Sequence, residues 1–119
     1  MRVVADQKGC PTSADDIARA ILAILPRLGD GPYGTYHFVN AGEATWHSLA
    51  ETVFARAATH GRPAPSVEPI ATSDYPTPAA RPANSRLATA KIARDFGISP
   101  RDWHEAIDEI VDTLLKEAA

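Results

Sequence analysis

Within residues 72–84 this chain carries Pro76, Pro78 and Pro82, and that spacing limits its folding more than any other feature. Proline fixes φ and has no N–H to donate, so neither a helix interior nor a central strand accepts it. The segment must be a stiff loop, with regular structure on either side.

Before the loop, Arg2 to Ala5 is a short apolar run that reads as the end of a strand. Ser13 is placed to cap a helix whose apolar positions Ile17, Ala20, Ile21, Ile24, Leu25 and Leu28 follow the 3.6-residue period, with Asp15 and Asp16 suiting its positive end. Gly29 or Gly31 stops it. Thr35 to Val39, β-branched and aromatic, predicts a strand. Thr45 caps a second helix with the stripe Trp46, Leu49, Ala50, Val53, Phe54 and Ala57, which assigns Trp46 to the core; Gly61 and Pro63 end it. Val67 to Ile70 predicts a short strand, at an edge because of Pro69.

After the loop, Thr89 opens a short helix ending at Gly97. Ser99 as cap and Pro100 at the first helical position predict the last helix, apolar along Trp103, Ile107, Ile110, Val111, Leu114 and Leu115. The order is α/β, four helices with a few short strands. Strands this short give those helices little sheet to cover, so they are expected to suit a larger sheet than this sequence encodes and to leave apolar surface exposed.

Composition narrows the class. The chain has 119 residues, 45% hydrophobic and 23% charged, as in ordinary globular domains. Its net charge of −3 argues against a nucleic-acid partner. The charge is uneven: Arg81, Arg86, Lys91 and Arg94 stand together without an acid between residues 79 and 94, whereas residues 102–119 hold six acids against Lys116. That asymmetry predicts a local anion site on an acidic body. A single cysteine, Cys10, excludes an intrachain disulfide and suits a reducing cytoplasm, and no apolar run is long enough to span a membrane.

Several familiar patterns fail on context. Gly29-x-Gly31-x-x-Gly34 has dinucleotide spacing, but it follows a helix and precedes a strand, the reverse of what a phosphate-binding helix N-terminus needs. Tyr33, Tyr36 and Tyr75 are followed four places on by His37, Asn40 and Ala79, so no Tyr-x-x-x-Lys proton relay exists. Four scattered histidines, at 37, 47, 60 and 104, do not read as a metal site.

Two segments exceed what structure alone requires. One is Asp6-Gln7-Lys8-Gly9-Cys10-Pro11-Thr12; the other runs from Tyr75 to Leu87 and contains Pro76-Thr77-Pro78-Ala79-Ala80-Arg81-Pro82-Ala83-Asn84-Ser85. At these residues, and at Gly34 to His37 and the final tryptophan-containing helix, the chain resembles the dTDP-4-dehydrorhamnose reductase family of extended short-chain dehydrogenases. The resemblance implies that residues 1–119 are the C-terminal sugar-nucleotide-binding domain of a Rossmann-type parent, without the N-terminal dinucleotide-binding domain. It implies a cytoplasmic oxidoreductase of nucleotide-sugar and polysaccharide biosynthesis, reducing dTDP-4-dehydro-L-rhamnose to dTDP-L-rhamnose with NADPH. These 119 residues would then carry no catalytic group, bind no cofactor and be inactive alone, with the dTDP-sugar, the N-terminal half and a second copy in a homodimer as candidate partners. The same family includes a non-catalytic regulatory subunit of methionine adenosyltransferase, and related sugar-nucleotide epimerases and dehydratases share parts of the pattern.

The expected substrate contacts are Arg81, Asn84, Ser85, Gln7, Thr12 and Arg86. A guanidinium at Arg81 can fork onto a diphosphate in a way lysine cannot, and the flanking prolines reduce the entropy lost on binding. Asn84 and Ser85 suit sugar hydroxyls or phosphate oxygens; Gln7 can donate and accept, and Thr12 leads into a helix end that favours anions. Trp46 and Tyr75 offer flat faces to a base.

Overall fold

The computed structural model describes residues 1–29 and 31–117. Strand β1 (Arg2–Val4) pairs in parallel with β4 (Glu68–Ile70), Val3 facing Pro69. With two strands in that sheet among the described residues, Pro69 lies at an edge as expected, where its missing N–H strands no partner. A second two-stranded sheet joins β2 (Lys8–Gly9) antiparallel to β3 (Ala44–Thr45).

Helix α1 (Ala14–Ile24) is capped by Ser13, whose hydroxyl accepts from the Asp16 N–H, and runs on into a 3-10 turn at Leu25–Arg27. Helix α2 (Trp46–Ala58) follows Thr45 through a reciprocal capping box with Ser48. Helix α3 (Ala90–Phe96) ends at Gly97, whose φ of 66° is the left-handed stop that the sequence predicted. Helix α4 (Trp103–Glu117) packs alongside α2. At one end Trp103, 2% exposed, donates its indole N–H to the Glu43 carbonyl; at the other, Asp112 accepts both Arg56 Nε (2.8 Å) and Nη2 (2.6 Å). Gly42 is required at the first of these ends: its φ is 90°, and a Cβ there would lie 3.1 Å from the Trp103 ring.

Two expectations need correction. Residues 35–39 form no strand: instead of a ladder, Lys91 donates to the Thr35 carbonyl, Tyr36 to Asp95, and the Asn40 N–H to Thr12 Oγ1. The last helix begins at Trp103, not at Ser99 and Pro100. Arg101 and Trp103 make backbone bonds to Ala41, which demands extended chain there, and the Asp102 carboxylate then accepts the His104 N–H as the cap.

The body is flat, 50 × 38 × 21 Å, with a radius of gyration of 16.9 Å. A compact chain of this length would have about 13.5 Å. Its accessible surface of 7697 Å² likewise exceeds the roughly 6,200 Å² of an ordinary globular chain of this mass. The excess is partly apolar: Ile17, Ile21, Leu22, Leu25 and Leu28 of α1 and its extension are each 40% or more exposed. Among the described residues, no helix is long and apolar enough to cross a membrane.

Candidate functional site

The two segments singled out in the sequence meet at Lys8. Its N–H donates to the Ala83 carbonyl and its carbonyl accepts the Ser85 N–H, both at 2.8 Å, so the proline loop adds itself beside β2 as a short parallel bridge to Asn84. Gly9 permits this approach, since a Cβ there would come within 3.1 Å of Ser85 Oγ. On its other side β2 holds β3, which leads straight into α2. Three pieces of chain, distant in sequence, therefore wall one groove of about 950 Å³. That is the size range of small-molecule sites.

Gln7, Arg81 and Ser85 line this groove, together with Trp46 and Tyr75. Arg81 is exposed and makes no hydrogen bond or ion pair among the described residues, so its five N–H donors are uncommitted among them. Ser85 Oγ donates to the Lys8 carbonyl at 3.2 Å and keeps its lone pairs. Gln7 is held at both ends, accepting from the Trp46 indole N–H and donating to Thr72 Oγ1, each at 3.2 Å.

The other three predicted contacts stand outside the groove lining. Thr12 Oγ1 donates to the Cys10 carbonyl and accepts the Asn40 N–H, which ties the turn before α1 to the chain before β3. Asn84 Oδ1 accepts from the backbone and Nε of Arg86. The Arg86 guanidinium is also paired with Glu43. Trp46 corrects the sequence reading: it is 59% exposed, not part of the core. Helical spacing could not have distinguished these outcomes, because Trp46 shares a face with the half-buried Leu49 and Ala50, and Leu49 lines the same groove. Lys8 lies in a segment singled out in the sequence but is not among the expected contacts; what marks it is backbone pairing, which a side-chain pattern does not carry.

Behind the groove lies a polar knot. Asn40, fully buried, accepts the Ser13 N–H at 2.8 Å and donates to Asp16 Oδ2 at 2.6 Å. Asp16 also takes Arg101 Nε and Nη2 at 2.8 and 2.9 Å, and Arg101 Nη1 reaches Glu109. The Arg101 fork is the largest influence holding the Asp16 carboxyl below its ordinary value; burial opposes it and Asn40 assists. The knot fixes the entry to α1, and through it the turn that carries Gln7 to Thr12.

The RmlD substrate binding domain model matches residues 1–116. A dTDP-4-dehydrorhamnose reductase of Sinorhizobium fredii is 42% identical over 121 residues, covering 98% of this chain and 41% of the relative. The crystal structure of a dTDP-4-dehydrorhamnose reductase from Clostridium acetobutylicum superposes with a TM-score of 0.86 at 32% identity, over 97% of this chain and 39% of that one. A Bacillus anthracis dTDP-4-dehydrorhamnose reductase, solved in complex with NADP, gives 0.78 at 28% identity, over 92% of this chain and 36% of that one. The chain thus spans about two fifths of the length of the relatives it matches.

Proposed function

The chain belongs to the family of RmlD substrate binding domains, and on that premise we propose that residues 1–119 are the sugar-nucleotide-binding domain of a dTDP-4-dehydrorhamnose reductase, with Arg81 as the grip on the diphosphate. The observation that carries this reading is an arginine on a proline-braced loop, lining a groove, with no partner among the described residues. A guanidinium in that state meets two phosphate oxygens with parallel charge-assisted bonds. Pro82 and Pro78 limit what the loop can lose in freedom when it does so. Ser85 is suited to a neighbouring phosphate or sugar oxygen. Asn84 and Arg86 stand behind the loop and act through its shape.

In this reading the whole enzyme reduces the 4-keto group of a dTDP-linked 4-dehydro sugar, and NADPH supplies the hydride. The residues of this chain do not fit that cofactor: Gly29, Gly31 and Gly34 follow α1 and its 3-10 extension and open no helix. No tyrosine here is followed four places on by the lysine of a proton relay. In this reading the 119 residues are a binding domain, inactive as a reductase by themselves, whose part in the reaction is to hold and orient the sugar nucleotide.

Calorimetric titration of the chain with dTDP tests this. Wild type should bind, and Arg81→Ala should weaken binding by ~2 kcal/mol, the scale of a hydrogen bond to a charged group. Arg81→Lys should recover only part, because an ammonium lacks the fork. Equal affinity in wild type and Arg81→Ala would remove the diphosphate role.

A further inference from the structure

Trp46 is 59% exposed at the start of α2, with its ring on the groove. A side chain that open would normally be mobile, yet its indole N–H is tied to Gln7 Oε1. Donor and acceptor chemistry sets the direction of the bonds behind the ring. An indole N–H can only donate, so Gln7 must present its oxygen to the ring and its amide nitrogen to Thr72 Oγ1. The Thr72 hydroxyl, having accepted there, donates to Asp6 Oδ1 at 2.5 Å, and the Thr72 N–H meets the same carboxylate at 2.9 Å. These two donors hold the Asp6 carboxyl below its ordinary range. Asp6 can only accept, so the relay Trp46–Gln7–Thr72–Asp6 has one direction and two fixed ends.

We propose that Gln7 is a positioning residue: through this relay it holds the Trp46 ring open to the groove as a stacking platform for a nucleobase. Both polar ends of the Gln7 side chain are already bonded, which uses one of its two N–H donors and one of its two lone pairs and fixes the plane of the amide beside the ring. The Trp46 face, by contrast, is free, and it shares the groove with the uncommitted Arg81. A base lying on Trp46 while a diphosphate reaches Arg81 is the arrangement a nucleoside diphosphate would take, so this inference rests on the diphosphate role of Arg81.

The test compares two probes, dTDP and inorganic pyrophosphate, on the 119-residue chain. Trp46→Ala and Gln7→Met should each weaken dTDP about tenfold, the scale of one base–aromatic stack, and leave pyrophosphate unchanged. Thr72→Val, which cuts the relay without touching the groove, should weaken dTDP in the same selective way and raise acrylamide quenching of tryptophan fluorescence; Thr72→Ser should match wild type. If Gln7→Met weakens dTDP but Thr72→Val does not, Gln7 touches the ligand and the positioning role is overturned. If Trp46→Ala affects both probes equally, or neither, there is no stacking platform. An unaltered response of both probes to Arg81→Ala, with the Trp46 effect intact, would instead overturn the diphosphate reading alone.

Discussion

Arg101 and Arg81 are the same side chain put to opposite uses. Every guanidinium nitrogen of Arg101 is bonded, two to Asp16 and the third to Glu109, with Asp16 itself 7% exposed and bound to a fully buried Asn40. Arg81 lines the groove with no such partner among the described residues. A guanidinium with each nitrogen bonded, beside a buried carboxylate, belongs to the fold, because moving it would strand a charge out of water. One that the chain braces through neighbouring prolines and leaves uncommitted is available to an incoming anion. Residue type and local charge do not separate the two; what surrounds the guanidinium does.

The largest expected effect strikes the first member of the pair. Arg101→Ala should lower the free energy of unfolding by about 2–3 kcal/mol, somewhat below the cost of breaking a fully buried pair because Arg101 is itself 29% exposed. Arg81→Ala should change it by less than ~0.5 kcal/mol. Urea unfolding of both variants measures this directly, and comparable losses would erase the distinction.

An acid titration sharpens the same contrast. The Asp16 carboxyl is lowered in the folded chain from an ordinary value near 3.8, chiefly by Arg101. The stability it contributes is therefore complete above that value and drains away as pH falls below it. Melting temperatures followed from pH 7 to pH 3 should turn down below about pH 4. Asp16→Asn should start from a lower melting temperature and fall less steeply, whereas Arg81→Ala should trace the wild-type curve. A wild-type slope in Asp16→Asn would mean that other lowered carboxyls, such as Asp112, control the acid limb.

These two regions also differ in how much of them the sequence reveals. Local chemistry is written locally: Ser13 and Thr45 as caps, Gly97 as a stop, and the proline loop all stand where residue type and spacing put them. The place of Arg81 on a stiff cationic loop was legible for the same reason, since that is a local property. The knot was not. Asn40 meets Ser13 and Arg101 from 27 and 61 residues away, and nothing near Asn40 in the chain marks it as buried. The shifted start of α4 has the same origin, because the backbone pairing of Arg101 and Trp103 with Ala41 overrides the helix signal of Ser99 and Pro100. Trp46 was misread for another reason. A period of 3.6 residues identifies a face but not whether something covers it.

A smaller effect is expected where fold and groove join. Thr45 caps α2 immediately before Trp46, with its hydroxyl accepting the Ser48 N–H at 3.1 Å. Thr45→Ala should cost about 1 kcal/mol, the usual loss for a removed cap, and Thr45→Ser should restore most of it. Because the cap sets the entry of α2, Thr45→Ala should also weaken dTDP binding modestly.

Arg86 tests whether the comparison holds for an intermediate case, and it carries the smallest expected change. Its guanidinium is paired, like that of Arg101, but the partner Glu43 is 50% exposed and Arg86 itself 41%, so water replaces either group at little cost. Arg86→Ala should therefore alter stability by no more than ~0.5 kcal/mol, the range of solvent-exposed pairs. It also lies outside the groove lining, and its bonds to Asn84 steady the loop from behind. Affinity for dTDP should fall less than in Arg81→Ala, with the residual loss shrinking at high salt, as long-range attraction between cation and anion does. An Arg86→Ala loss equal to that of Arg81→Ala would show that commitment to a protein partner does not exclude a guanidinium from ligand binding, and the rule drawn from Arg101 would not extend to exposed pairs.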